Sequence, residues 1–273
     1  MNPPQQHAPR PAGPPRFPFL DHDGPIAFAH RGGALENPEN TWASFRHARS
    51  LGYRYMETDV HATRDGVVAV IHDPDLTRVA GHKANVRELT WGDLSAIDLE
   101  SDQHVPRLDE LLEEWPEIRW NIDAKHDTVT GALVHTLRRM NAVERVCITS
   151  FSDRRLSTVK RALGSKLCTA MGPAAITALR VASLPPRPPA RLLQTAFKAF
   201  GAAQVPPRQG AVPIVDRRFV NTAHAARLDV HVWTIDAGPE MERLLDLGVD
   251  GIMTDRPSLL KEVLEQRGAW TPA

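Results

Sequence analysis

Two acidic side chains, Glu57 and Asp59, stand two residues apart in the apolar-flanked run Tyr-Met-Glu-Thr-Asp-Val at 55–60. On a β-strand that spacing puts both carboxylates on one face. Like charges side by side repel and call for a cation or a shared proton, so the pair is a candidate metal site. Taken alone, the pair also reads as a solvated edge strand. A second run, Trp-Asn-Ile-Asp-Ala-Lys at 120–125, repeats the arrangement with Asp123 and Lys125 on one face. Three carboxylates form an all-oxygen donor set, which suits a hard divalent cation such as Mg2+ or Ca2+, with Mn2+ as a further candidate, and suits Zn2+ or copper poorly.

Two histidines complete the candidate chemistry. His30 closes Ala-Phe-Ala-His-Arg-Gly-Gly and His72 closes Val-Val-Ala-Val-Ile-His-Asp. With an ordinary pKa of about 6.5, one imidazole can take a proton from an attacking oxygen while the other gives one to a departing alkoxide. Cleavage of a phosphodiester needs that pair of transfers, and it needs positive charge around the transition state, which Arg31, Lys125 and a metal ion can supply. Gly32 and Gly33 allow backbone N–H groups close to an anion, or serve only to make the turn.

These residues must be positioned by something, and the pattern is that of parallel strands alternating with crossover helices. Strands are expected at 25–30, 55–60, 120–124, 145–150, 166–171, 203–205, 230–234 and 251–254, with helices at 41–50, 108–114, 130–140, 153–163, 220–227, 239–247 and 257–265. Thr41 and Asp153 suit helix caps, and Pro239 and Pro257 a first helical turn. The rhythm breaks after the second strand, where 67–71 reads as an extra strand followed by a polar loop at 75–83. It breaks again at 172–201, where four prolines precede the amphipathic 192–200. That second stretch reads as a long loop with one packed surface helix, or as a lid or peripheral membrane contact. About eight strand–helix units, no Gly-rich nucleotide-binding turn after the first strand, and a length near the ~250 residues usual for the fold point to a (β/α)8 TIM barrel, an α/β class, as a single domain over 25–268.

Composition narrows the partners. The 273 residues carry 33 basic and 33 acidic side chains, so no nucleic-acid footprint is expected. Seven prolines in residues 1–24 mark a flexible tail with no signal-peptide core, and no run approaches the ~20 apolar residues of a membrane span. The expectation is a soluble cytoplasmic enzyme. Cys147 and Cys168 lie in apolar runs and read as buried thiols.

In order along residues 25–262, His30-Arg31-Gly32, Asn37-Pro38-Glu39-Asn40-Thr41, Glu57-Thr58-Asp59-Val60, His72-Asp73, Asn121-Ile122-Asp123-Ala124-Lys125, Val232-Trp233-Thr234 and the run from Gly248 to Pro257 resemble the glycerophosphodiester phosphodiesterases. The resemblance implies a barrel with its site at the C-terminal mouth and metal-dependent hydrolysis of a small-molecule glycerophosphodiester to glycerol 3-phosphate and an alcohol. It matches His30 and His72 to a general acid/base pair, Glu57, Asp59 and Asp123 to metal ligands, and Arg31 and Lys125 to phosphate contacts. At Asp123 many relatives carry Glu. Trp233 matches an aromatic beside the substrate, or packs the barrel, and Gln204 matches a polar residue at a late strand end. Glu39, Asn40, Asp255 and Arg256 are expected to brace loops and a helix start. A lysophospholipase D acting on acylated substrates is the rival enzyme, and an inactive barrel serving as a binding module is the rival of another class.

Overall fold

Short β-branched runs at regular spacing wind into a parallel barrel in the computed structural model, which describes residues 15–99 and 103–272. The strands are β1 (Ile26–His30), β2 (Tyr55–Ala62), β3 (Arg119–Ala124), β4 (Val146–Thr149), β5 (Cys168–Thr169), β6 (Ala202–Val205), β7 (Asp229–Val232) and β8 (Gly251–Thr254). Their order around the sheet is β5-β4-β3-β2-β1-β8-β7-β6, all parallel. The ring closes through a parallel bridge of Ala170 with Ala202, with Met171 N donating to Ala202 O and Gly201 N to Thr169 O, each at 2.9 Å. The expected (β/α)8 barrel is therefore the observed fold. Its weakest seam is the two-residue strand β5.

Around the barrel run α1 (Trp42–Ser50), α2 (Leu108–Glu114), α3 (Val129–Arg139), α4 (Asp153–Leu163), α5 (Pro173–Ala182), α6 (Ala190–Phe197), α7 (Arg217–Ala225), α8 (Gly238–Leu247) and α9 (Pro257–Gln266). Thr41 caps α1 in a reciprocal box with Ser44, which satisfies two backbone donors that a bare helix start leaves unpaired. Pro239 and Pro257 sit in first turns, where the missing N–H costs nothing. The outward strand faces and the helices bury a core that includes Phe45, Trp115 and Trp120, with Phe45 and Trp120 packed edge to face at 5.0 Å.

Four expectations need correction. The tail does not extend to residue 24: residues 1–14 lie outside the described residues, but Phe17, Phe19 and Leu20 are buried around the 3-10 turn Pro18–Leu20. There they join Phe28, Tyr55, Cys147, Cys168 and Met253 in an apolar cluster at the N-terminal end of the barrel, and Tyr55 Oη donates to Phe19 O at 2.8 Å. Aromatic residues among the prolines were the signal for this. The 172–201 stretch holds two helices rather than one, because Leu179 and its partly buried neighbours Ala175 and Ile176 form a helical apolar face of their own, and the prolines at 185–189 only separate α5 from α6. The polar loop at 75–83 pairs in part, as the hairpin Asp75–Leu76 with His82–Asn85. Finally, Ser152 and not Asp153 caps α4, and Asp153 instead accepts from Ala174 N at the start of α5.

The turn after β1 is closely packed. Arg31, Gly32 and Gly33 all have positive φ, at 51°, 79° and 105°. A Cβ at Gly32 would run into the Ser44 side chain, which itself donates to Arg31 O at 3.1 Å. Gly32→Ala is therefore expected to lower stability by about 1–3 kcal/mol, seen as a fall in thermal midpoint, whereas Gly66→Ala, at a positive φ with open space around it, should cost less.

Candidate active site

Inward-pointing residues climb the barrel in layers. Above the apolar cluster, register places His30 opposite Glu57 and Glu57 opposite Asn121, and one step higher Asp59 opposite Asp123. The short strand Val68–Val70, antiparallel to the end of β2, delivers His72 to the same rim. All nine side chains singled out from the sequence, His30, Arg31, Glu57, Asp59, His72, Asp123, Lys125, Gln204 and Trp233, line one cleft of about 580 Å³ at the C-terminal mouth.

The carboxylates are held at close quarters. Glu57, Asp59 and Asp123 are each at most 5% exposed. Lys125 Nζ lies 2.8 Å from Asp59 Oδ1 and 2.6 Å from Asp123 Oδ2. On the other side Arg31 Nε pairs with Asp59 Oδ2 at 2.9 Å, and Asn40 Nδ2 donates to the same oxygen at 3.1 Å. Burial disfavours the Asp59 anion, but Lys125 and Arg31 overcome it and hold its pKa below the ordinary value. Glu57 goes the other way, because burial and then the Asp59 charge push its carboxyl up to about 8. Burial also raises Asp123 in spite of Lys125.

Each histidine is oriented by a carboxylate. His30 Nδ1 bonds Asp255 Oδ1 at 2.7 Å, and His72 Nδ1 bonds Asp73 Oδ1 at 2.7 Å. With Nδ1–H donating, Nε2 of each ring is left to accept. For His30 this nitrogen lies 3.7 Å from Glu57 Oε2. Burial alone would depress the His30 pKa, but the Glu57 charge and the Asp255 hydrogen bond outweigh it and raise the pKa.

The residues expected to brace loops do so, and they also hold the cleft's own side chains. Asp255 orients His30 rather than merely starting a helix. Asn40 holds Asp59 while accepting from Thr58 Oγ1 at 2.8 Å. Glu39 pairs with Arg31 at 3.3 Å and with Arg78 at 2.6 Å, and Arg78 Nε donates to Asp73 Oδ2 at 2.6 Å, so one chain of charges joins the Arg31 turn to the His72 pair. Asn121, at the cleft floor, accepts from Gln204 Nε2 at 2.8 Å. Adjacency in the motifs His72-Asp73 and Glu39-Asn40 was the available signal; for Asp255, 225 residues from its partner, there was none.

The cleft has two sides. Every charged group comes from the contiguous arc β3-β2-β1-β8 and its loops. The facing wall, from β4 through β7, carries no charged group and is largely apolar, with Phe151, Met171, Ile176, Pro206, Ile214 and Trp233 beside the polar Ser150, Thr177, Gln204 and Gln209, and with Trp233 edge-on to Phe151 at 5.9 Å.

The family model for the glycerophosphoryl diester phosphodiesterase family matches residues 30–259. The chain belongs to this family. It is 39% identical over 262 residues to a probable glycerophosphodiester phosphodiesterase 2 of Mycobacterium tuberculosis, covering 96% of this chain and 98% of the relative. A lysophospholipase D of Rattus norvegicus is 27% identical, with 88% and 86% covered. Among solved structures, a putative glycerophosphoryl diester phosphodiesterase from Silicibacter pomeroyi superposes with a TM-score of 0.77 at 23% identity, over 93% of this chain and all of the other. An Oleispira antarctica phosphodiesterase, solved in complex with the product sn-glycerol-3-phosphate, gives 0.72 at 21% identity, over 89% and 97%.

Within this family member the donor set fits a divalent cation by charge and chemistry. Asp123 Oδ1 is buried with no hydrogen-bond partner, and three carboxylates face only two permanent cations, Arg31 and Lys125. As the side chains lie, no three His, Cys, Asp or Glu groups among the described residues are already spaced around one point, since Lys125 and Arg31 occupy carboxylate oxygens that an ion would share.

Lys125→Met tests the charge balance. It strands two buried carboxylates, with an expected loss of about 3–5 kcal/mol near neutral pH in chelator-treated buffer. The depressed Asp59 pKa contributes stability above the unfolded value of about 3.9, and that contribution is lost as pH falls through the lower folded value. The gap between parent and variant in urea melts should therefore be full at about pH 7 and close at strongly acidic pH.

Proposed function

We propose that the protein hydrolyses glycerophosphodiesters to sn-glycerol 3-phosphate and an alcohol, with His30 and His72 as the general acid/base pair. The observation that carries this reading is that two imidazoles, each fixed at Nδ1 by a carboxylate, open on one cleft in which Arg31 and Lys125 also stand. Fixed orientation leaves each Nε2 available for one proton transfer, and a phosphodiester needs one at the nucleophile and one at the leaving oxygen. The guanidinium and ammonium groups stabilise charge developing on the phosphoryl oxygens. Glu57, Asp59 and Asp123 would hold a divalent cation, Mg2+, Ca2+ or Mn2+, which supplies further positive charge beside the phosphate. The nucleophile is water or the substrate's own neighbouring glycerol hydroxyl, and substrates lacking that hydroxyl separate the two routes.

The apolar wall supports a second reading. A side lined by Phe151, Met171, Ile176 and Trp233 suits a leaving group or glycerol substituent with hydrocarbon character, and a relative at 27% identity is named a lysophospholipase D. Comparison of kcat/KM for glycerophosphocholine and lysophosphatidylcholine decides between the readings, since a strong preference for the acylated substrate would favour the second.

Release of glycerol 3-phosphate from glycerophosphocholine or glycerophosphoethanolamine should fall after chelation and return with Mg2+, Ca2+ or Mn2+. Activity fully retained in chelator would overturn the metal assignment. His30→Ala and His72→Ala should each lower kcat by roughly 10²–10⁴ while the chain remains folded by circular dichroism. Asp255→Asn should lower kcat and leave KM nearly constant, because it disorients His30 without touching the phosphate contacts; an unaltered pH–rate profile would contradict that positioning role.

A further inference from the structure

Charge is unevenly spread along this electrically neutral chain. Between Asp153 and Asp216 there are ten arginines and lysines and no aspartate or glutamate. Several of them are used locally, such as Arg155 at the Ala124 carbonyl and Lys166 at Glu144. Arg187, Arg191 and Arg208 are exposed and make no ion pair among the described residues.

These arginines sit among exposed apolar side chains. Val181 and Leu184 at the end of α5 are 63% and 48% exposed, Leu192 in α6 is 55% exposed, and Val212, in the hairpin Arg208–Gln209 with Val212–Pro213, is 57% exposed. Four of the six large hydrophobic side chains exposed among the described residues thus fall within residues 181–212, in the same stretch as the arginines. Proline at 185, 186, 188 and 189 keeps the α5–α6 hinge from pairing or coiling, which leaves its side chains outward.

The end of α5 stays level with the barrel mouth, and α6 descends from there, with Gln194 Nε2 donating to Ala225 O at the far end of α7. Arg180 Nη2 bonds Asp216 Oδ2 at 3.0 Å, and Asp216 caps α7, the helix that follows β6 and its hairpin at the C-terminal end of the barrel. At its other end α5 places Ile176 in the cleft wall, and the hairpin places Gln209 there beside Val212. Apolar side chains interleaved with arginines that make no ion pair among the described residues fit an interface in which hydrocarbon enters the headgroup layer while guanidinium groups meet phosphate.

We propose that the α5–α6 hinge and the adjacent hairpin dock on a bilayer that carries anionic headgroups, holding the mouth of the barrel beside the lipid surface. The proposal does not depend on which substrate the cleft accepts. Sedimentation of the full chain with vesicles of phosphatidylglycerol and phosphatidylcholine, against vesicles of phosphatidylcholine alone, tests it. The expected result is binding to the anionic vesicles that weakens with salt. R187E/R191E should reduce it by more than about tenfold and L184S/L192S several-fold, with thermal midpoints unchanged because all four side chains are exposed. A chain that stays in the supernatant with anionic vesicles, or double variants that sediment like the parent, would overturn it. So would a concentration-dependent dimer lost in L184S/L192S without vesicle binding, which would assign the surface to a second copy of the chain.

Discussion

Buried negative charge at the mouth of the barrel is the constraint on which the rest of the structure depends. Glu57, Asp59 and Asp123 are taken out of water on adjacent strands, and bare carboxylates there would cost far more than the fold can spare. Arg31 and Lys125 are accordingly part of the compensation, and each is held in place by the carboxylates it compensates. The positive φ at Arg31 and the two glycines after it are what bring that guanidinium back over β2. Ser44, Asn40 and the start of α9 then lock the turn from three sides.

The same arrangement ties the histidines to the protein's electrostatics. His30 stands between two carboxylates, Asp255 at Nδ1 and Glu57 near Nε2, so its protonation and that of Glu57 are not separable events. His72 belongs to a more exposed network with Asp73, Arg78 and Glu39. Two imidazoles of identical chemistry are thereby placed in unlike surroundings, which is the condition for one to work as a base while the other works as an acid.

Much of this was legible from residue types and spacing. Alternation two residues apart put Glu57 with Asp59, and Asp123 with Lys125, on the faces they occupy, because strand geometry is strictly periodic. The strand–helix alternation carried the barrel for the same reason. What escaped was whatever depends on distant parts of the chain meeting: Asp255 behind His30, and Phe17 to Leu20 against Tyr55 and Phe28. The second helix in 172–201 escaped for another reason. Four prolines dominate the local signal, while the short apolar face around Leu179 speaks only for one turn or two.

The barrel's closure carries a consequence for how such a protein can change. The arc β3-β2-β1-β8 bears all the charged groups of the cleft and includes the three longest strands, whereas the seam lies at the two-residue β5, in the arc that bears the largely apolar wall. Substitution, insertion or slippage near the seam alters the shape of the wall without passing through the carboxylates or the histidines. The shape of the wall and the positions of the reacting groups are thus mechanically separable: one half of the ring can be reshaped while the other keeps its geometry.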